Sequence, residues 1–427
     1  MIETTNFFAA ARVGLPVAAD RHEHRGLDIL AEKSVLIAHP ALQHAHQLAL
    51  ALHEKNLLQA FWSGVPIAAP GEALPFWLPE KFKRKIKRVD IPASLRVHPL
   101  RFQLCLRAGQ AVLPSSWGGP GDLPHRVFHW FDRWTAHRIQ HVRPKLVIAY
   151  ENSAYHTFAA AKAVGARCVL DAASLHHQTS IDLIPGGKRS LFDKEVNRRK
   201  DAEAEMADVI LTCSQLAADS YMSHGVSPDK VRPLLLGAEL PETLMPRTAR
   251  KGPPRFIFAG VLSRRKSVDL ILSAFERLSR EGFAYELEFV GNAPDSKLLD
   301  RVRAAPNTVY RAGVAQRDLY PLMAAADCLL LPSRFDSFGM VVAEAMACGT
   351  PAIVSTQTGA KAIIEEVPGS GWIVEPDGDA LFAQLRRLLA DPAQLETARL
   401  HAKRAAESYT WQAYRGRARK LLSEALC

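Results

Sequence analysis

Short, wholly apolar runs alternate along this chain with longer stretches whose apolar positions recur every three or four residues. The first kind predicts buried strands and the second amphipathic helices. Residues 35–38, in "SVLIAHP", read as a strand, "HAHQLALALHEKN" as a helix and "LLQAFWSGV" as a second strand. Strand, helix, strand is the building unit of a parallel sheet. Residues 66–125, rich in Pro, Gly and Trp, read as irregular, and a helix is predicted over 127–140. The alternation then resumes with the strand "KLVIAY", the helix "SAYHTFAAAKAVG" and the strand "RCVLDA". A polar helix over 191–207 leads to the strand "DVILTCS", a helix over 217–224 and the strand "VRPLLLG".

Periodicity stops at 241–254, "PETLMPRTARKGPP", which reads as a linker between domains. It restarts with "RFIFAG", "YELEFVG", "TVYRAG", "DCLLLPS", "PAIVST" and "GWIVEP" as strands, with helical stretches between them and two helices at the end. This predicts two doubly wound α/β domains facing a central cleft, with ligands at the carboxyl ends of the strands.

Composition narrows the class. The chain has 427 residues, 48% of them hydrophobic and 23% charged, a balance that supports folded domains and excludes a disordered chain. No run of eighteen apolar residues suggests a membrane span, and residues 1–21 lack the pattern of a secretory leader. Residues 1–30 read as a polar extension. The six cysteines form no C-x-x-C pair, so space-filling thiols in a reducing compartment are expected. The net charge of +10 admits an anionic membrane, a phosphorylated substrate or nucleic acid. No zinc-finger spacing or RNA-recognition signature accompanies it, so nucleic acid is not expected.

The chemistry concentrates in "PSRFDSFGMVVAEAMACGTP", residues 332–351. A strand ends there, a turn carries Asp336, and a helix beginning near Gly339 carries Glu344 eight residues on. Free backbone amides at a helix start attract phosphate, and a carboxylate can accept hydrogen bonds from both hydroxyls of a ribose. Taken as spacing alone, Asp336 fits an N-cap and Glu344 a solvated helix residue equally well.

The full string resembles the donor-site motif of the family 4 retaining glycosyltransferases, whose fold is GT-B. Pro332, Ser333, Asp336, Phe338, Gly339, Glu344, Ala345, Met346, Ala347, Gly349 and Pro351 match in register. The family usually has Glu at the first acidic position, and here Asp336 is one methylene shorter. The resemblance implies that Asp336 lies near the donor sugar, that Glu344 binds the ribose, and that Ser337, Phe338, Gly339 and Met340 line the donor. "FIFAGVLSRRKSVDLILSAFERL" is similar to the segment that opens the family's donor domain, with Gly260 ending the strand and Lys266 on the diphosphate, helped by Arg265. Val261 and Ser267 depart from the family's usual Arg and Gly. The stretch around Gly313 and Val314 resembles the cradle of the nucleotide base, and Gly359 the family's later glycine.

The first domain matches less closely. Its loop "AHPALQHAH" lacks the family's glycine pair. His44 and His46 there either line the acceptor site or are surface residues at a helix start. In "CVLDAASLHHQTS", His176 best fits the histidine that approaches the donor sugar. The run "PFWLPEKFKRKIKRVD", residues 75–90, joins Lys81, Lys83, Arg84, Lys85, Lys87 and Arg88 to Phe76, Trp77, Leu78 and Phe82. Cations beside aromatics suit an anionic membrane surface, here through residues 76–88.

The resemblance thus implies an acceptor-binding domain over 31–245, a nucleotide-sugar donor domain over 246–408 and a C-terminal helix over 409–427 that crosses back to the first domain. It implies a hexosyltransferase; the missing leader and the cysteine pattern point to the cytoplasm, and the run at 76–88 to the inner membrane face. Such an enzyme moves a sugar from a UDP- or GDP-sugar to a glycan or lipid-linked acceptor with retention, in surface polysaccharide assembly. No metal or other cofactor is expected. The same fold also serves nucleotide-sugar epimerases, phosphorylases and non-catalytic binding proteins. The extra acids of an epimerase and the pyridoxal-lysine context of a phosphorylase are not placed by the sequence.

Overall fold

The computed structural model describes residues 33–76, 78, 80–83, 86–112, 119–183, 191–241 and 252–426. The polar extension and nearly all of the linker lie outside the described residues.

The first sheet contains β1 (Val35–His39), β2 (Leu58–Ser63), β5 (Arg96–Val97), β6 (Leu146–Tyr150), β7 (Arg167–Ala172), β8 (Val209–Thr212) and β9 (Val231–Pro233). Its order is β5-β2-β1-β6-β7-β8-β9, all parallel. The second contains β10 (Arg255–Ala259), β11 (Glu286–Val290), β12 (Thr308–Arg311), β13 (Cys328–Leu331), β14 (Ala352–Ser355) and β15 (Gly371–Val374). Its order is β12-β11-β10-β13-β14-β15, again parallel. A short pair, β3 (Ile67–Ala68) and β4 (Lys87–Arg88), stands apart.

The central strands β1, β6, β8, β13 and β14 are buried along their whole length because both sheet faces are covered there. In β1, Val35 and Ile37 enter one core while Leu36 and Ala38 enter another, as the two-residue period of a strand requires. The second of these cores is rich in aromatics: Phe102 packs edge-on against Trp130, Phe131 and Trp134. Phe102 belongs to the helix Leu100–Val112, and Phe131 and Trp134 to Gly119–Val142. Residues 66–125 are therefore partly helical, contrary to the irregular reading. Leu104 and Leu100 are exposed, which blurs the 3.6-residue stripe that would have betrayed the helix. Three helices, not two, end the chain: Gly378–Ala390, Ala393–Ser408 and Trp411–Leu426.

The last of these helices packs on Ala45–His53 of the first domain. Arg415 and Arg419 both reach Glu54, at 2.7 and 2.6 Å, and Arg415 donates to Gln47. Two strands of chain cross between the domains side by side: the Ala238 amide donates to the Tyr409 carbonyl and the Trp411 amide to that of Ala238. Each sheet has one place where its strand order reverses, between β1 and β6 and between β10 and β13. Those crevices are where an open α/β sheet binds ligands.

Candidate functional site

In the second domain the crevice is built by the loops after β10 and β13. The loop after β10 carries Gly260, Arg265 and Lys266 into the helix Val268–Arg280. The loop after β13 carries Asp336 into the helix Met340–Ala347. The N-caps of these helices, Ser267 and Gly339, are both left-handed and provide no side-chain cap. Two other helices of the domain are closed by Asp295 and Asp377, each of which accepts two backbone amides, whereas Gln316–Ala325, Lys361–Glu366 and Ala393–Ser408 also lack a side-chain cap. The dipoles of the two helix starts at the crevice favour an anion, and at Val268–Arg280 the Val268 amide already donates to the Ser263 carbonyl at 3.4 Å.

Lys266 Nζ bonds Asp336 Oδ2 across the crevice, with both side chains mostly buried. Asp336 is therefore an ion-pair partner and not an N-cap. Arg265 donates to the Phe335 carbonyl at 3.3 Å and lies over the Phe335 ring. Glu344, half-buried rather than solvated, accepts from Gln316 Nε2 at 2.7 Å. Burial raises its carboxyl above the usual range, outweighing the Gln316 bond. Gly313 lies on the exposed loop after β12, where a Cβ would meet Asn292 Oδ1 at 2.9 Å, and Val314 beside it is exposed.

Other residues of the motif do structural work. Phe338 is a core residue, and its carbonyl accepts the Ala360 amide at 2.6 Å. Met340 packs against the core. Gly339 has φ +91°, and a Cβ there would meet Leu331 at 2.8 Å. Ser337 meets the first domain: its Oγ accepts the Leu175 amide at 3.2 Å, and its carbonyl accepts Ser214 Oγ at 2.5 Å. Gly359 backs this contact, since a Cβ there would strike the Ser337 carbonyl and sit 2.6 Å from Ser214.

His176 follows Leu175, so its loop docks on the motif, but its ring faces the first domain. It stacks on His224 at 4.5 Å, neighbours His177 at 4.3 Å and lies 3.4 Å from Asp201. Burial first, then the charges of His177 and His224, lower its pKa to about 4. His177 Nε2 lies 2.6 Å from Asp201 Oδ1. His176, His177 and Asp201 bring three potential metal-ligand atoms within 4.8 Å of one another. The Gln178 amide donates to His176 Nδ1, which puts that ring's proton on Nε2 toward Asp201. The geometry is that of imidazoles donating to a shared carboxylate.

At the other crevice sequence reading named His44 and His46 but missed His39 and the pairing with Asp171. His39 ends β1, and its Nδ1 accepts the Ala41 amide while Nε2 is buried without a partner. Burial, against the pull of Asp171, lowers its pKa to about 3. His44 and His46 are buried, not surface residues. His44 Nε2 meets Asp171 Oδ1 at 3.0 Å. Burial opposes both charges, but their mutual attraction wins, so the His44 pKa rises and that of Asp171 falls. Burial, then Lys87 and His44, lowers His46 to about 4. An acid inside the apolar run "CVLDA" was a further signal of this cluster, beside the histidines of "AHPALQHAH". Glu151, at the end of β6, accepts from Ser174 at 2.8 Å and Lys200 at 3.3 Å.

Of the cysteines, Cys168, Cys213, Cys328 and Cys348 are free and buried, and Cys105 is free and exposed. Burial raises the thiols of Cys168 and Cys348 to about 12, which keeps them unreactive. Among the described residues no helix is long and apolar enough to cross a membrane.

Comparison with known proteins agrees with this geometry. Residues 253–391 match the family model "Glycosyl transferases group 1". An MMP alpha-(1->4)-mannosyltransferase of Mycolicibacterium hassiacum is 29% identical over 227 residues, 51% of this chain and 54% of that protein. The match thus spans about half the length of that curated relative. A solved sucrose-phosphate synthase from Thermosynechococcus elongatus superposes with TM-score 0.63 at 18% identity, over 90% of this chain and 96% of its own. An Anabaena protein solved with UDP-glucose does so with TM-score 0.61 at 14% identity, over 91% and 99%. The chain therefore has the GT-B fold, and residues 253–391, within its second domain, are similar to the group 1 glycosyltransferases.

Proposed function

We propose that this chain transfers a hexosyl unit from a nucleoside diphosphate sugar, UDP- or GDP-linked, to a glycan or lipid-linked acceptor, with retention at the anomeric carbon. The observation that carries the reading is the β10/β13 crevice. Lys266 and Asp336 meet there between two helix starts that have no side-chain cap, and Glu344 lies on the second of those helices. The relative named as a mannosyltransferase and the structural neighbour solved with UDP-glucose support the donor class.

In this reading the helix amides, Lys266 and Arg265 hold the diphosphate and stabilise the charge that develops as it departs. Glu344 binds the ribose, with Gln316 orienting its carboxylate, and the base lies against Gly313 and Val314. Asp336 faces the sugar. The Leu175–Ser337 contact fixes how closely the acceptor domain approaches. With Asp336 held in an ion pair by Lys266, retention is proposed to follow a front-face path in which the leaving phosphate assists. The step is proposed to need no metal, and no step is given to the His176 ring.

Attachment to an anionic membrane is also proposed, through a surface that extends the run at 76–88. Trp77, Arg84 and Lys85 lie outside the described residues, as does the Lys81 side chain. Lys83 is paired with Glu80, and Arg88 donates to the carbonyls of Ala69 and Glu72. Among the described residues of these segments, Phe76, Phe82, Val97, Leu100, Leu104 and Trp130 are exposed, and the Arg107 guanidinium lies over the Phe82 ring. Apolar side chains among cations suit an anionic headgroup layer and match a role in surface polysaccharide assembly.

The test is a panel of UDP-, GDP- and ADP-sugars, followed by calorimetry and by release of the diphosphate. Binding of one nucleoside diphosphate with slow donor hydrolysis is expected. Absence of binding by all three sinks the donor site.

A further inference from the structure

Asp269 poses a problem for the crevice just described. It lies in the first turn of Val268–Arg280, two residues past the N-cap, at the helix start that is to receive a diphosphate. A bare carboxylate there would repel the ligand that the helix amides and Lys266 attract, in a partly buried place where screening is weak. The side chain of Asp269 is only 17% exposed.

Arg334 answers this charge. It lies two residues before Asp336 on the opposite loop. Its two terminal nitrogens donate one to each Asp269 oxygen, both at 2.8 Å, in the bidentate geometry that makes such pairs strong. One of them also donates to the Arg264 carbonyl at 2.5 Å, and the Arg334 amide donates to the Arg265 carbonyl at 2.9 Å. Arg264 contributes little, since its side chain is 80% exposed and lies 3.9 Å from Asp269. Burial favours the neutral acid, but the bonds and charge of Arg334 outweigh it and hold the Asp269 carboxyl below its ordinary range.

We propose that Arg334 masks the charge of Asp269, so that the helix start Val268–Arg280 can accept a diphosphate. Arg334 acts through Asp269 and touches no substrate, so it is a positioning residue. The proposal rests on the donor-site reading above. A plain mechanical staple is the competing role, because Arg334 also ties down a loop in which Ser267, a non-glycine, holds φ +58°.

The two roles separate in a double variant, read by calorimetry with UDP, GDP and the free nucleosides. Arg334→Ala unmasks Asp269 and is expected to weaken the diphosphate about tenfold or more, with nucleoside affinity unchanged. Asp269→Asn alone binds the diphosphate as tightly as the parent or more so. The pair Arg334→Ala with Asp269→Asn returns to near parent affinity, since no charge remains to be masked. A double variant as weak as Arg334→Ala overturns masking in favour of the staple, and so does an Arg334→Ala that binds like the parent. Arg334→Gln, which keeps a planar donor and loses the charge, serves if the alanine variant does not fold. A parent chain that binds no nucleoside diphosphate removes the donor site and this proposal together. Intact parent binding with an unrescued double variant removes masking alone.

Discussion

The ion pair between Lys266 and Asp336 makes a donor-site expectation whose sign is unusual. In the ligand-free chain the lysine meant for the diphosphate is engaged by the acid meant for the sugar, and the two side chains are 14% and 13% exposed. Binding a diphosphate must either break this pair or bring two or more negative charges beside Asp336. At a separation of about 6 Å and an effective dielectric of about 20, one charge pair is worth roughly 3 kcal/mol, an upper bound that residual solvent reduces. Asp336→Asn removes that opposition and frees Lys266, at nearly constant volume. UDP or GDP should then bind about tenfold tighter or more, an improvement of at least about 1.4 kcal/mol. Turnover of the matching sugar donor should fall, because the carboxylate proposed to face the sugar is gone. Calorimetry reads the first effect and diphosphate release the second. Asp336→Glu, which restores the family's usual acid, should bind like the parent. If Asp336→Asn weakens the nucleotide, the pair is not competing with the diphosphate and the crevice is misassigned.

Other expectations follow from single contacts. Glu344→Ala removes a charged acceptor of ribose hydroxyls and should weaken nucleotide binding by about 1.5–3 kcal/mol in calorimetry, against no change if the ribose lies elsewhere. Gly359→Ala places a methyl against Ser214 and the Ser337 carbonyl; transfer should fall while nucleotide affinity holds, and equal loss of both would contradict a role in domain approach. His39, His46 and His176 are held with pKa values of about 3, 4 and 4, below the ordinary 6.5. The unfolded chain therefore takes up protons first as pH falls. Stability is complete above about pH 6.5 and is lost toward pH 4, at about 1.4 kcal/mol per pH unit for each histidine. Urea unfolding at pH 7 and 5.5 measures this, and His39→Gln should flatten the slope. Leu104→Glu, on the exposed face of its helix, should reduce cosedimentation with vesicles rich in anionic lipid; unchanged binding would remove that helix from the membrane surface.

What the sequence disclosed depended on how locally each feature is encoded. The two sheets were legible because strands buried on both faces must be apolar throughout, and "RCVLDA" gives β7 at its observed bounds, Arg167–Ala172. The helix Leu100–Val112 was not, because Leu100 and Leu104 point to solvent and dilute its stripe. The motif at 332–351 was legible because one strand, one turn and one helix bring Asp336 and Glu344 to the same crevice. The histidine cluster was legible only in part, through His44 and His46. His39, His44 and Asp171 come from β1, the loop after it and β7, and only the sheet order makes them neighbours. The same limit applies inside the motif. Arg334 and Asp269 are 65 residues apart and each is unremarked in its own segment. Asp269 reads as an ordinary first-turn acid, which helix dipoles favour. It becomes a liability only once the same helix start is assigned to a phosphate, and the β10/β13 pairing is what supplies an arginine to cancel it. A motif that lists only the residues facing the ligand therefore omits the charge that lets them work.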